Sequence, residues 1–160
     1  MTILTPMTQR EFLAFAEEAV PAFAADKIAS GHWSPDEALE LSRKSFEELL
    51  PHGLASPDNF LFTIRDPVNQ VNVGMVWIAV QERAGKRIAY VYDVIVQPEH
   101  QRKGHAMRAF LALESEVQKL GLSGIALNVF GHNAGAHALY VKLGYQPTNI
   151  NMFKAIRETR

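Results

Sequence analysis

The sequence predicts a mixed α/β (α+β) fold, and three observations carry that prediction. Helical periodicity fills the first fifty residues. Strand periodicity broken by short turns runs from Asn59 to Val96. A helix–strand–helix pattern then extends to Leu143. The 160 residues are the size of one ordinary domain, taken as 1–160, with no repeat, linker or low-complexity tract. Formal net charge is −1, so no basic excess points to nucleic acid as a partner. Cysteine is absent, which removes a disulfide framework, a thiolate nucleophile and any Cys-based zinc site. The opening MTILTPMTQREF lacks a signal-peptide layout, and no apolar run is long enough to span a bilayer. A cytoplasmic protein with no membrane partner is the expectation.

Thr8 is placed to cap a first helix whose apolar positions include Phe12, Phe15, Ala16 and Ala19. Pro21 interrupts it, so a kink or a break is expected there. Ser34-Pro35-Asp36-Glu37 reads as a second helix start, with serine at the cap, proline at the first turn and Glu37 closing a capping box. That helix is expected to bury Leu39, Phe46, Leu49 and Leu50 and to stop before Pro51 and Gly53. Strands follow at Asn59 to Arg65, Val71 to Gln81 and Arg87 to Val96. The turns between them, Asp66-Pro67-Val68-Asn69 and Ala84-Gly85, are too short for crossovers, so the three form an antiparallel meander. A helix from about Gly104 to Leu120 and a strand from Ile125 to Phe130 imply a right-handed crossover to a parallel neighbour. A last helix spans about Asn133 to Leu143, with Gly144 suited to its C-terminal αL position. Tyr145 to Ile156 reads as a final strand.

The stretch Tyr90 to Ala106, YVYDVIVQPEHQRKGHA, organises the rest. A strand feeds a basic, glycine-containing loop that opens a helix. Free N–H groups of the first turn, the helix dipole and close approach at Gly104 together favour an anion such as phosphate. On the final helix Asn133, His137 and Tyr140 share one stripe. They form a site wall, or else Tyr140 packs at a core edge while Asn133 caps the helix. His100, His105, His132 and His137 make no metal-pair spacing, and no metal is expected.

Gln101 to Ala106 reads Q-x-x-G-x-A, and Asn133 to Tyr145 reads N-x-x-A-x-x-L-Y-x-x-L-G-Y. Together, with this order of elements, they resemble the GNAT superfamily of N-acetyltransferases. The resemblance implies that fold: a mixed central sheet with an antiparallel meander and two splayed parallel strands, flanked by helices. It implies acetyl-CoA as co-substrate, with the pyrophosphate held by Gln101, Arg102, Lys103, Gly104, His105 and Ala106, largely through backbone amides. It also implies that the pantetheine arm pairs with Val94, Ile95 and Val96, that Val94 N–H meets the thioester carbonyl, and that Asn133 contacts the cofactor. Tyr140 fills the slot of the general acid that protonates the departing thiolate, since a phenol near 10 holds its proton at neutral pH.

The proton acceptor is less defined. Asp93 is the sole carboxylate in the apolar run Ile88 to Val96. In a regular strand it points away from the face of Tyr92 and Val94; a bulge changes that. The glutamate that several relatives carry on the second splayed strand is replaced here by Asn128. Tyr90 and Tyr92 either line the cleft or pack the core. Gly31-His32-Trp33 is the candidate acceptor-side loop, with Trp33 and Tyr92 as acceptor contacts. The first fifty residues hold nine Asp or Glu against four Lys or Arg. Such a surface suits a cationic amine, small or peptide-borne, or is merely a solvated helix face. The expected activity is direct acetyl transfer to a primary amine. The rival is a non-catalytic acyl-CoA-binding module, and the oligomeric state stays open, a homodimer included.

Overall fold

A computed structural model describes residues 3–157. In chain order the elements are β1 (Leu4–Pro6), α1 (Gln9–Ala29), α2 (Ala38–Leu49), β2 (Asn59–Arg65), β3 (Asn72–Arg83), β4 (Lys86–Val96), α3 (His105–Lys119), β5 (Ile125–Leu127) and α4 (Ala134–Lys142). The five strands form one sheet in sequence order. β1 to β4 run antiparallel, and β5 is parallel to β4. The meander and the crossover are therefore as expected. β1 is an addition: three residues ending in Pro6 are too short to show periodicity.

Strand alternation sends side chains into two cores. On one face Ile64, Val76, Ile78 and Val91 meet Ala109, Phe110, Leu113 and Val117 of α3 and Tyr140 of α4. On the other, Leu61, Met75 and Trp77 meet Phe15 and Ala19 of α1, with Phe46 and Leu49 of α2 packed around them. Trp77 anchors this second core. It is 1% exposed and donates its indole N–H to Asn59 Oδ1 at 2.8 Å.

Five sequence expectations are corrected. Helix α1 is continuous through Pro21, from its Thr8–Glu11 capping box to Ala29. Losing one backbone bond costs a helix about 3 kcal/mol; burial of Phe15 and Ala19 before the proline and Ala24 after it offsets that loss. Buried Ser42 of α2 also ties the two helices together beside the proline, donating to the Val20 carbonyl at 2.6 Å. Helix α2 starts later than predicted, at Ala38. Ser34 to Glu37 form a turn in which the Ser34 carbonyl accepts from Glu37 and Ala38, and Glu37 makes no side-chain cap. Leu39 then faces solvent at 48% exposure, not the core. Finally, Tyr145 to Ile156 forms no strand, and β5 stops at Leu127, short of Phe130.

Candidate active site

One extra residue in β4 shapes the site. Trp77 faces Asp93 across the β3–β4 ladder, but the next residue, Ile78, faces Val91, so Tyr92 is left over as a bulge. Parallel pairing with β5 ends at Val91–Leu127, immediately before it. Beyond the bulge β4 continues alone on that side. Gln97 donates to the Val73 carbonyl at 2.9 Å, so by alternation Ile95 bonds towards β3. Val94 and Val96 then turn their N–H and C=O groups into the gap. Without the bulge that parity would be reversed. Gly74 lets β3 sit under this bend, because a Cβ there would lie 2.0 Å from the Ile95 carbonyl oxygen.

The bulge also settles where Asp93 points. Cross-strand partners share a face, so Asp93 lies on the Trp77 side. Tyr92 is on that side too, stacked on Trp77 at 4.8 Å with its hydroxyl accepting from Gln81 Nε2 at 3.1 Å. Tyr90 meets Tyr92 edge-on at 4.9 Å. Burial pushes the Asp93 carboxyl up to about 6; a backbone hydrogen bond from Val94 opposes this and the charge of Asp26 adds to it.

Tyr140 approaches from the other face of the sheet. It is 8% exposed, edge-on to Phe110 at 5.2 Å and tilted against Tyr145 at 5.7 Å. Burial pushes its phenol up to about 12, and the charge of Asp93 contributes. The two groups thus feel each other's charge although they lie on opposite faces of the sheet, beside the β4–β5 gap. Both residues stand out in the sequence, but the gap beside them depends on the extra residue at Tyr92.

The loop into α3 has alternating handedness. Arg102 has φ 62° and Gly104 has φ 82°, the latter as N-cap of α3. Such alternation curls successive N–H groups around one concavity, which suits an anion. Arg102, Lys103 and Gly104 are exposed and Ala106 is half-buried. Gln101 instead turns its side chain back, donating to the Val96 carbonyl at 2.9 Å. His105 is buried, so only its backbone is presented to the loop's concavity. Its Nδ1 lies 2.9 Å from Arg108, and burial followed by that guanidinium holds its pKa down. Arg108 also donates to the Lys103 carbonyl at 2.9 Å and so braces the loop. Sequence reading missed Arg108, because nothing distinguishes it from any other helix arginine.

On the acceptor side, Trp33 is clamped by Phe23 at 5.6 Å and Lys27 at 5.5 Å. A cavity of about 1500 Å³ lies beside it, wrapped around β5, and its wall includes Lys27, His32, Asn128, His137 and Tyr140. Trp33 is one step behind that wall. Asp26 of α1 reaches His132 of the β5–α4 loop at 3.3 Å, and both were missed as site residues. Asn133 caps α4 by accepting from Ala136 N–H at 3.2 Å, and His137 is exposed. Among the described residues no group of three or more His, Cys, Asp or Glu is placed to hold a metal, and no helix is long and apolar enough to cross a membrane.

Comparison with known proteins agrees with this geometry. The sequence model of the acetyltransferase (GNAT) family matches residues 25–145. The uncharacterized N-acetyltransferase YycN of Bacillus subtilis is 33% identical over 157 residues, covering 98% of this chain and all of that protein. YdgE of the same bacterium is 33% identical over 153 residues, covering 96% and 97%. The crystal structure of YycN superposes with a TM-score of 0.91 at 32% identity over 98% of this chain and 99% of that one. A family match over most of its length, and relatives a third identical from end to end, mean that this chain belongs to the GNAT family of acetyltransferases and is an acyltransferase enzyme.

Proposed function

We propose that this enzyme transfers acetyl from acetyl-CoA directly to a primary amine in a ternary complex. The acceptor is a small amine, a polyamine or a peptide amine. The observation that carries this reading is the gap opened at Tyr92 between β4 and β5, with Asp93 beside it on one face of the sheet and Tyr140 on the other. Family members generally use acetyl-CoA, and the residues present suit it. The concave Arg102–Gly104 backbone would hold the pyrophosphate, and the β4 edge that β5 leaves free at Val94 and Val96, its Val96 carbonyl already held by Gln101, would align the pantetheine arm. When bound, acetyl-CoA supplies an activated acyl group on a thiolate leaving group.

The remaining work falls to the chain's own side chains. Asp26 and Asp93 make the acceptor side attractive to a cationic amine. A carboxyl raised to about 6 is a better base than an ordinary one, yet it is still ionised at pH 7. During transfer Asp93 takes up the proton that the amine gives up. The same event lifts the negative charge that weakens Tyr140 as an acid. Proton uptake at Asp93 therefore primes proton donation at Tyr140. With no cysteine in the chain, direct transfer needs no acyl-enzyme thioester.

The test is thiol release from acetyl-CoA across a panel of monoamines, polyamines, aminoglycosides and peptides. Release with cationic primary amines supports the reading; binding of acetyl-CoA with no turnover on any amine overturns it. The loop gives a separate expectation. In Gly104→Ala, a Cβ would sit in a left-handed backbone and 2.8 Å from Arg108 Nη1. Strain of about 1–2 kcal/mol is expected to raise the acetyl-CoA KM roughly tenfold, with a much smaller change in kcat, measured by steady-state kinetics.

A further inference from the structure

The first side chain of α3 is a buried histidine that the chemistry above does not use. His105 is 4% exposed, and its two ring nitrogens meet different groups. Nδ1 lies 2.9 Å from Arg108 Nη2, and a guanidinium can only donate, so Nδ1 accepts. The neutral ring then carries its proton on Nε2. That atom is buried, has no hydrogen-bond partner among the described residues, and stands 3.8 Å from Asp66 Oδ2. Asp66 lies in the turn between β2 and β3, where its other oxygen accepts from the amides of Val68 and Asn69 at 2.8 and 3.3 Å. The Val68 amide above all holds this carboxyl below its ordinary range, so it is charged at neutral pH.

On the loop side, Arg108 Nη2 donates to the Lys103 carbonyl at 2.9 Å. Its Nη1 packs so closely against Gly104 that a Cβ there would meet it at 2.8 Å. Carboxylate, imidazole, guanidinium and loop carbonyl thus form one line, from the β2–β3 turn to the left-handed backbone at Gly104. A planar trans peptide points its C=O and N–H in opposite directions. Holding the Lys103 carbonyl towards Arg108 therefore aims the Gly104 N–H away from it, into the loop's concavity. Glycine would otherwise let this peptide turn over at little cost.

We infer that His105 and Asp66 are positioning residues for the anion loop, which binds pyrophosphate tightly only while the His105 imidazole is neutral and holds Arg108 in place. This rests on reading that loop as the coenzyme A pyrophosphate site. A protonated imidazole has no lone pair for Arg108 and repels it, so the Lys103 carbonyl is released. Four charged or titratable groups face the ring: Asp66 from the β2–β3 turn, Arg108 from α3, Lys103 from the loop, and His100, ring to ring at 6.2 Å. Of these only Asp66 favours protonation, so the change falls on the acid side of neutrality.

Coenzyme A binding, measured by calorimetry, is a readout independent of turnover. His105→Leu, which offers no acceptor, is expected to raise Kd about tenfold at pH 7.5. His105→Asn puts an amide oxygen in the place of Nδ1 and is expected to stay within about twofold of wild type. Between about pH 7.5 and 5, wild-type affinity is expected to fall about threefold or more relative to His105→Asn, which has no proton to take up there. Asp66→Asn keeps an oxygen for the turn amides but removes the charge, so the fall should move to lower pH. Wild type that does not bind coenzyme A overturns the cofactor reading and this one together. With binding intact, an unaltered Kd in His105→Leu, or parallel pH curves for wild type and His105→Asn, overturns the positioning role alone. The pH comparison does not depend on how well His105→Leu folds.

Discussion

Tyr140→Phe is expected to lower kcat by about 10²-fold or more while leaving the acetyl-CoA KM within about twofold. The phenylalanine keeps the ring contacts to Phe110 and Tyr145, so the core of α3 and α4 survives and only the hydroxyl is lost. The size of the effect follows from the site's electrostatics. A phenol at about 12 is more than three units weaker than an ordinary thiol at about 8.5. Full transfer would therefore cost roughly 5 kcal/mol while Asp93 is charged. Tyr140 then acts first as a hydrogen-bond donor to the departing sulfur and strengthens as Asp93 takes up its proton. Steady-state kinetics with one good acceptor measure the effect. An equal loss of acetyl-CoA affinity would show that Tyr140 serves binding alone.

Asp93→Asn is expected to cost a similar factor in kcat/KM and also to stabilise the protein at pH 8. Burial lifts the carboxyl from 3.8 to about 6, so the folded state resists its ionisation. Stability is then lost as pH rises from about 4 through 6, and above 6 the charged form carries a penalty of at most about 3 kcal/mol. Asparagine removes that penalty. The melting temperature should rise by several degrees at pH 8 and hardly change at pH 4. Activity should show the complementary signature. Wild-type kcat/KM climbs as pH passes about 6, and that limb flattens in the variant. An unchanged limb would assign the base elsewhere.

Legibility from sequence varied with the kind of signal. The meander could be read because Asp66-Pro67 and Ala84-Gly85 are strong turn formers between apolar runs, and β2 was bounded to the residue. The phosphate-type loop could be read because a glycine was needed where the chain turns left-handed. Pro21 misled because a local rule competes with tertiary burial, and Phe15, Ala19 and Ala24 outweigh one backbone bond. Asp93 stood out as a carboxylate among apolar neighbours, but its direction was undecidable. The bulge at Tyr92 changes the backbone count without disturbing residue types. Asp26 and His132 meet from opposite ends of the chain, and Arg108 braces the Lys103 carbonyl just before its own helix, contacts that no residue pattern marks. Tyr145 to Ile156 has the composition of a strand, but a strand also needs an edge to pair with, and among the described residues it pairs with none.

The leftover residue at Tyr92 has a consequence for how this site can change. Its key property is a number, one residue more in β4 than in β3, and not a side chain. Substitutions at Tyr92 alter a stacked ring but keep that number. Deleting the residue would keep Asp93 opposite Trp77 but make the ladder regular, removing the bend and letting β5 zip onward. Point-substitution libraries therefore explore the lining of this cleft, whereas its existence responds only to insertions and deletions.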